Sequence, residues 1–427
     1  MESLQYTIVL KLGTSSLVDE VTREPRITNM SNIVETVVKL RRAGHRIVIV
    51  SSGAIAFGMK RVGITEKPKR LAAVQALALI GQGRLIGLFD DFFRQLNQPI
   101  AQILITRNDI VDYTQYQNAT NTINELLEMG TIPIVNENDT LSVAEIKFGD
   151  NDTLLAITAG MINASYLFLM TDVECLYTDN PRTNPDAKPI LVVDTIDDLA
   201  VKTDTKDAGA GSKVGTGGMT TKLIAAELAT NAGVTTIITL STKPQCILDI
   251  VADIQCSDTT LPAAEQALHI QREIAAGTIP LHTRFLGLPR DTQIRSDRRF
   301  WLLHGIRTKG ILYIDQGCFK ALTLRNRAGL LPAGIVAVEG MFHESECVSV
   351  RVVPSRSSSL QEAVEVGHCR VNYSSVEINL IKGHQSKEIA NILGFANSEY
   401  VAHTDGLAFT PSLPPMTDDH PANKLII

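Results

Sequence analysis

The stretch FGDNDTLLAITAGMINASYLFLM, residues 148–170, decides the fold. Its uncharged part, Thr153 to Met170, has about the length of a membrane-spanning helix. Yet Asn163-Ala164-Ser165 interrupts it, and the run divides into a helix-like half and a strand-like half, Tyr166 to Met170. The spacing predicts a buried helix, a turn and a buried strand. The same stretch opens on Asp150-Asn151-Asp152, three capping-type residues where a helix start needs one.

Working outward, short apolar runs recur at Thr7 to Leu12, Arg46 to Val50, Ile100 to Thr106, Ile132 to Val135, Tyr166 to Met170 and Thr235 to Leu240. They read as buried parallel strands. Between them lie helical patterns at Ser31 to Ala43, Leu71 to Gln95, Asn118 to Met129, Thr153 to Ile162 and Thr220 to Ala232. Gly44, Gly130 and Gly233 follow three of these, where a left-handed residue commonly ends a helix. Strands alternating with helices predict an α/β fold with a mostly parallel central sheet and helices on both faces. In such sheets ligands bind beyond the carboxyl ends of the strands. Those exits are polar here: Lys11-Leu12-Gly13-Thr14, Ser51-Ser52-Gly53, Thr106-Arg107-Asn108-Asp109, Asn136-Glu137-Asn138-Asp139 and Thr171-Asp172. Loops are polar anyway, so the exits raise the case for a site without making it.

The chain has 427 residues, 44% of them hydrophobic, which is enough for two domains. A net charge of -6 gives no footprint of a bulk nucleic-acid partner. Six cysteines without a CxxC pair predict reduced, inert thiols. The start, MESLQYTIVLKLG, has no basic leader, and Lys11 breaks its apolar run, so a cytoplasmic location is expected. Residues 207–219, DAGAGSKVGTGGM, are glycine-rich and precede a helix; they fit either a linker or an anion cradle built from backbone N–H groups. Gly81-Gln82-Gly83 with Gly87 imitates a dinucleotide fingerprint, but the spacing is off by one and it lies inside a helical pattern. After about residue 256 the pattern changes. An amphipathic helix is expected at Ala263 to Ala276. Short strands follow at Phe300 to Leu303, Gly310 to Ile314, Gly334 to Val338 and Cys347 to Val353, which describes a small β-rich second domain.

Lys11, Asp152 and Lys222 stand out together. Two lysines and a glycine-rich loop suit phosphoryl transfer, which needs alignment and charge neutralisation more than covalent help. A lone lysine is usually a solvated surface group, and that is the plain reading of Lys222 by itself. Lys11 ends a buried strand, and solvation explains it less well.

On VLKLGTSSL (9–17), HRIVIVSSGAIAFG (45–58), IPIVNENDTL (132–141), EIKFGDNDTL (145–154), LMTDVECLYTDNPRTNP (169–185) and GTGGMTTKL (215–223), the chain resembles the glutamate 5-kinases of the amino-acid kinase family, with a C-terminal PUA domain. The order and spacing of these motifs are specific together, and the resemblance covers nearly the whole chain. It implies a kinase domain over residues 1–290, a PUA-like domain over 298–410 and a flexible tail over 411–427. It implies transfer of the γ-phosphoryl of ATP, with Mg²⁺, to the γ-carboxylate of L-glutamate, the first step of proline synthesis. Lys11 and Lys222 match the lysines that stabilise the moving phosphoryl, and Asp152 matches the aspartate that positions them. Ser52, Asn136, Asp139, Asp150 and Asn151 fall at substrate positions. Lys11, Gly13, Thr171, Asp172, Thr216, Gly217, Gly218, Met219 and Lys222 fall at nucleotide positions. No protein metal ligand is assigned. Feedback inhibition by proline, a homo-oligomer and a glutamyl phosphate reductase partner are implied as well.

Elementary chemistry agrees with these roles. A glutamate side chain, with a pKa of about 4.3, is already anionic at neutral pH. The nucleophile therefore needs no general base; the obstacle is repulsion between two anions, which the lysines and Mg²⁺ counter. The free ammonium of glutamate calls for acids, which Asp139 and Asp150 supply. One departure is Gln255 to Ala276, which reads as an insertion at the domain edge. The PUA region carries ten Lys/Arg against six Asp/Glu from Arg290 to Arg351, and five against eight from Pro354 onward. That near-neutrality argues for a structural or regulatory role over RNA binding. Two alternatives stay open: a sibling kinase for another carboxylate, and an RNA-binding protein with a degenerate kinase domain, against which the retained Lys11, Asp152 and Lys222 speak.

Overall fold

A computed structural model of the chain describes residues 4–19, 21–141, 151–179, 181, 184, 186–194, 199, 219–288, 299, 301–306, 308–324, 329–355 and 359–410. The chain divides into two compact units, residues 1–290 and 291–427. The 411–427 tail lies outside the described residues.

The first unit is built on an eight-stranded sheet. Its strands are β1 (Thr7–Leu12), β2 (Arg46–Ser51), β3 (Ile100–Ile105), β4 (Ile132–Glu137), β5 (Tyr166–Thr171), β8 (Val192–Val193), β9 (Thr235–Leu240) and β10 (Thr283–Phe285). A small hairpin, β6 (Leu176–Tyr177) with β7 (Pro189–Ile190), stands apart. The order across the sheet is β3-β4-β2-β1-β5-β9-β10-β8. The first six run parallel. β10 turns antiparallel to β9 and pairs with β8. The helices between them are α1 (Thr14–Leu17), α2 (Ile27–Arg42), α3 (Ala54–Val62), α4 (Leu71–Gln95), α5 (Arg107–Val111), α6 (Tyr113–Glu128), α7 (Asn151–Met161), α8 (Met219–Asn231), α9 (Cys246–Cys256) and α10 (Ala263–Ala276).

Strand alternation divides the side chains between two faces. Ile8, Leu10 and Leu12 of β1 join Ile47, Ile49, Phe168 and Met170 in one core with the apolar faces of α2, α4 and α9. Val9 and Lys11 therefore point to the opposite face, against which α7 and α8 pack. The stretch at 151–171 folds as its pattern predicts: α7, a turn with Asn163 at φ 50°, and the fully buried β5. Gly44, Gly130 and Gly233 all have positive φ, as their positions after helices predict. Helix α4 is long and apolar enough to cross a membrane by length and composition. Here Val74, Leu77, Leu85, Phe89 and Phe93 of its inner face are buried in the fold. Gly81 in α4 belongs to this packing: a Cβ there would lie 1.7 Å from the Ala54 carbonyl of α3, so this glycine of the fingerprint-like set serves helix contact.

The second unit holds a five-stranded sheet of order β12-β11-β13-β14-β15, from β11 (Gly310–Ile314), β12 (Ile335–Gly340), β13 (Cys347–Val352), β14 (Val364–Arg370) and β15 (Leu407–Phe409). Helices α11 (Gln316–Leu324), α12 (Ser375–Ile381) and α13 (Ile389–Leu393) accompany it. Leu312, Val348, Val350, Val366, Ile378 and Leu407 are among its core residues. One expectation is corrected. Phe300 to Leu303 was expected as a strand, but Trp301–Gly305 is a π-helix. Trp301 and Leu302 are both buried, and a short buried apolar run has no periodicity that separates helix from strand.

Candidate active site

The parallel strands β1, β2, β4 and β5 end on the same edge of the sheet. Lys11 is the fifth residue of β1 and is only 8% exposed. Asp152 sits in the first turn of α7 and is 1% exposed. The Lys11 ammonium contacts Asp152 Oδ1 directly. On the other side, the Thr221 hydroxyl of α8 donates to Asp152 Oδ2 at 3.0 Å, and the Lys222 ammonium stands 4.0 Å from the same oxygen. Burial by itself would push the Asp152 carboxyl up. The charges of Lys11 and Lys222, with hydrogen bonds from Lys11 and Thr221, outweigh it and hold the pKa below the ordinary carboxylate value. The group is anionic at neutral pH.

The other predicted residues distribute as follows. Gly13 follows Lys11 directly, and a Cβ on it would lie 3.8 Å from the Lys11 ammonium. Ser52 directly follows β2, its N–H donating to the Leu12 carbonyl at 3.0 Å. Asn136 is buried at the end of β4, where its amide donates to Gln82 Oε1 at 2.7 Å and its carbonyl accepts from the Glu137 N–H at 2.9 Å. Asp139 is half-buried in the following turn. Thr171 is buried at the end of β5, its hydroxyl donating to the Val173 carbonyl at 2.7 Å, and Asp172 next to it is exposed. Met219 begins α8. Asn151 begins α7, with its side chain outside the description; Asp150, Thr216, Gly217 and Gly218 lie outside the described residues altogether.

The structure thus joins Lys11, Asp152, Lys222 and, through Gly13, the first strand exit, and sets Ser52, Asn136, Asp139, Thr171 and Asp172 along the same edge. The Thr106 exit has a structural explanation. Thr106 and Asp109 form a reciprocal capping box on α5, with the Thr106 N–H donating to Asp109 Oδ2 at 2.6 Å and the Asp109 N–H to Thr106 Oγ1 at 3.3 Å.

The description of the amino acid kinase family matches residues 6–240, and that of the PUA domain matches residues 310–393. A probable glutamate 5-kinase of Schizosaccharomyces pombe is 56% identical over 402 residues, covering 94% of this chain and 93% of that protein. A glutamate 5-kinase of Rippkaea orientalis is 42% identical over 407 residues, 95% of this chain and 99% of that one. The chain belongs to the amino acid kinase family, on its glutamate 5-kinase branch. An uncharacterized protein of Saccharomyces cerevisiae is also similar, 48% identical over 419 residues, 95% of this chain and 99% of that protein.

Within this family member, two site residues escaped the sequence reading. Thr221 was legible in principle, because it adjoins Lys222 at a helix start and carries a hydroxyl. Gln82 was not: it lies in the interior of α4, inside the glycine pattern rejected as a fingerprint, and nothing local marks it as a partner of Asn136. Among the described residues, no group of three or more His, Cys, Asp or Glu side chains converges as a metal site. The buried carboxylate of this kinase-family site, Asp152, is engaged by Lys11 and faced by Lys222.

Proposed function

We propose that this chain transfers the γ-phosphoryl group of ATP to the γ-carboxylate of L-glutamate, releasing ADP and γ-glutamyl phosphate as the first step of L-proline synthesis. The observation that carries this reading is Asp152, buried between Lys11 and Lys222 at the carboxyl edge of the sheet. A buried ion network of this kind is a poor stabiliser beside apolar packing of equal volume, so its presence calls for chemistry. Family membership at high identity over most of the chain supplies the substrate assignment.

In the proposed reaction a glutamate carboxylate oxygen attacks the γ-phosphorus while the bond to the β-phosphate oxygen breaks. Lys11 and Lys222 neutralise the charge gathered on the transferring group, and Asp152 fixes where their ammonium groups stand. Ser52, Asn136 and Asp139 line the acceptor side, with Asp150 and Asn151 assigned there from their place in the motif. Gly13 lets the phosphates approach Lys11 closely, and Thr171, Asp172, Met219 and the Thr216-Gly217-Gly218 segment attend the nucleotide. Mg²⁺ bound with ATP would supply further neutralisation of the phosphate charge, while the protein's own part is the pair of lysines. Proline acting as an inhibitor in the glutamate pocket, self-association, hand-over of the labile acyl phosphate to a glutamyl phosphate reductase, and a cytoplasmic location complete the proposal. The PUA domain acts structurally or in regulation, its near-neutral charge giving little attraction to RNA.

The test is an ATP-consumption assay across a panel of carboxylates, with hydroxylamine trapping the acyl phosphate. Glutamate is expected to give hydroxamate. Product from another acid and none from glutamate sinks the assignment. Lys222→Met is expected to lower turnover by roughly a hundred- to a thousand-fold while moving the melting temperature little, because Lys11 and Thr221 still hold Asp152 directly.

A further inference from the structure

Residues 255–276, read from sequence as an insertion, take no part in the site above. They build something of their own. The turn after α9 and helix α10 enclose, with β10, a cavity of about 360 Å³ lined in part by Arg284, His269, Ser257, Arg272, Leu261 and Leu268. That volume is in the range of small-molecule sites. At its base is Arg284, a β10 residue only 3% exposed. One Nη2 hydrogen goes to Asp253 Oδ2 at 2.6 Å, and Nε donates to His282 Nε2 at 3.0 Å. His282 is fixed in turn by its Nδ1 against the Pro280 carbonyl at 2.8 Å. Burial pushes Asp253 up, but Arg284 and His269 together hold it down, so its carboxyl stays ionised.

These contacts use only one edge of the guanidinium. Among the described residues no group accepts from Arg284 Nη1, and that nitrogen is not sealed from solvent. It therefore opens on the cavity its side chain lines. His269 is presented similarly. Its Nε2 meets Asp253 Oδ1 at 2.8 Å and Ser257 Oγ at 3.0 Å, leaving Nδ1 without a described partner. Aspartate, histidine and serine in this arrangement do not form a hydrolytic relay, because both neighbours meet the same ring nitrogen and the Ser257 hydroxyl donates to the Asp253 carbonyl at 2.7 Å. What remains is a preorganised guanidinium edge and an imidazole nitrogen facing an open cavity with leucines at its mouth. A carboxylate is the planar acceptor that fits a guanidinium fork.

The surrounding charges select among anions. Arg284 and Arg272 face three carboxylates, those of Asp253, Asp258 and Glu265. A dianionic phosphate would meet that excess of negative charge, whereas a small monocarboxylate would not be penalised twice. We propose that this cavity is a binding site for a small monocarboxylate, its carboxylate on Arg284 and Arg272 and its apolar part against Leu261 and Leu268.

This site stands independently of the kinase reading. The test uses the full chain with isotope-labelled histidine, following the His269 ring signals while acetate, propionate, glycine or inorganic phosphate is added. Acetate or propionate is expected to shift them saturably. Arg284→Lys, which keeps the charge and loses the fork, is expected to weaken binding about tenfold or more. Should that variant fold poorly, Arg272→Ala at the exposed rim is expected to weaken it severalfold in an intact protein. A shift with glycine only makes the ligand a zwitterion and overturns the monocarboxylate class, as does tighter binding of phosphate. No saturable shift with any of the four overturns the site.

Discussion

Asp152 is held by Lys11, Thr221 and the charge of Lys222, from two elements, and its removal acts on all of them. Asp152→Asn leaves the Lys11 ammonium buried opposite a neutral amide. Breaking a buried pair in this way costs about 3–5 kcal/mol, so the fold stands with a lowered urea midpoint while both lysines lose their fixed positions. Turnover is expected to fall by at least a hundred-fold, about the loss of one preorganised charge contact. Denaturant titration and steady-state rates measure the two effects separately, and an unchanged midpoint would mean Asp152 is not the buried partner described. At this scale the sequence was informative where chemistry is unusual. Lys11 at the end of an apolar strand and three polar residues at one helix start both depart from what local structure needs. It was silent where a residue acts only through a distant neighbour, as Gln82 does through Asn136.

Helix α4 illustrates how much an element's place depends on packing. Its bounds, Leu71–Gln95, were legible from periodicity alone. What its glycines do was not, because the reason lies across the interface in α3. A Cβ on Gly81 would collide with the Ala54 carbonyl at 1.7 Å, whereas a Cβ on Gly83 meets nothing within 4 Å. Gly81→Ala is therefore expected to destabilise by about 1–3 kcal/mol through overpacking. Gly83→Ala is expected to be neutral or to stabilise by up to about 1 kcal/mol through helix propensity. Equal shifts in their urea midpoints would contradict the α3–α4 contact. The second unit was read less completely, since its helices at Gln316–Leu324 and Ser375–Ile381 are short. A signal did exist for the latter: Ser374 and Glu377 form a capping box, with the Ser374 N–H donating to Glu377 Oε2 at 2.7 Å.

Across the whole molecule, histidines whose pKa is lowered by burial set the response to acid: His45 is lowered, and two others are lowered further. His282 in the first unit is lowered to about 4, by burial and then by the charge of Arg284. His304 in the second is lowered to about 4, by burial and then by His368. Both are neutral when folded and titrate near pH 6.5 when unfolded, so between pH 6.5 and 4 the unfolded chain binds more protons. Stability therefore falls as pH drops through that window, by about 3 kcal/mol for each unit at full depression. Asp152 and Asp253, whose pKa values are lowered, keep their contributions until the pH drops below the ordinary carboxylate value. Urea midpoints measured every half unit from pH 7 to 4 check this, and a flat profile would contradict it. The sheet itself was legible because buried parallel strands are near-continuous apolar runs. The order of those strands was not, since no local pattern encodes which strand lies beside which. That order matters to a chain still being made. β1 is synthesised first yet lies in the middle of the sheet, between β2 and β5. At roughly 5–20 residues per second, its second edge stays unpaired for on the order of ten seconds before Tyr166–Thr171 emerges. A strand as apolar as TIVLKL left open that long presents a row of unpaired backbone groups on which another chain could pair.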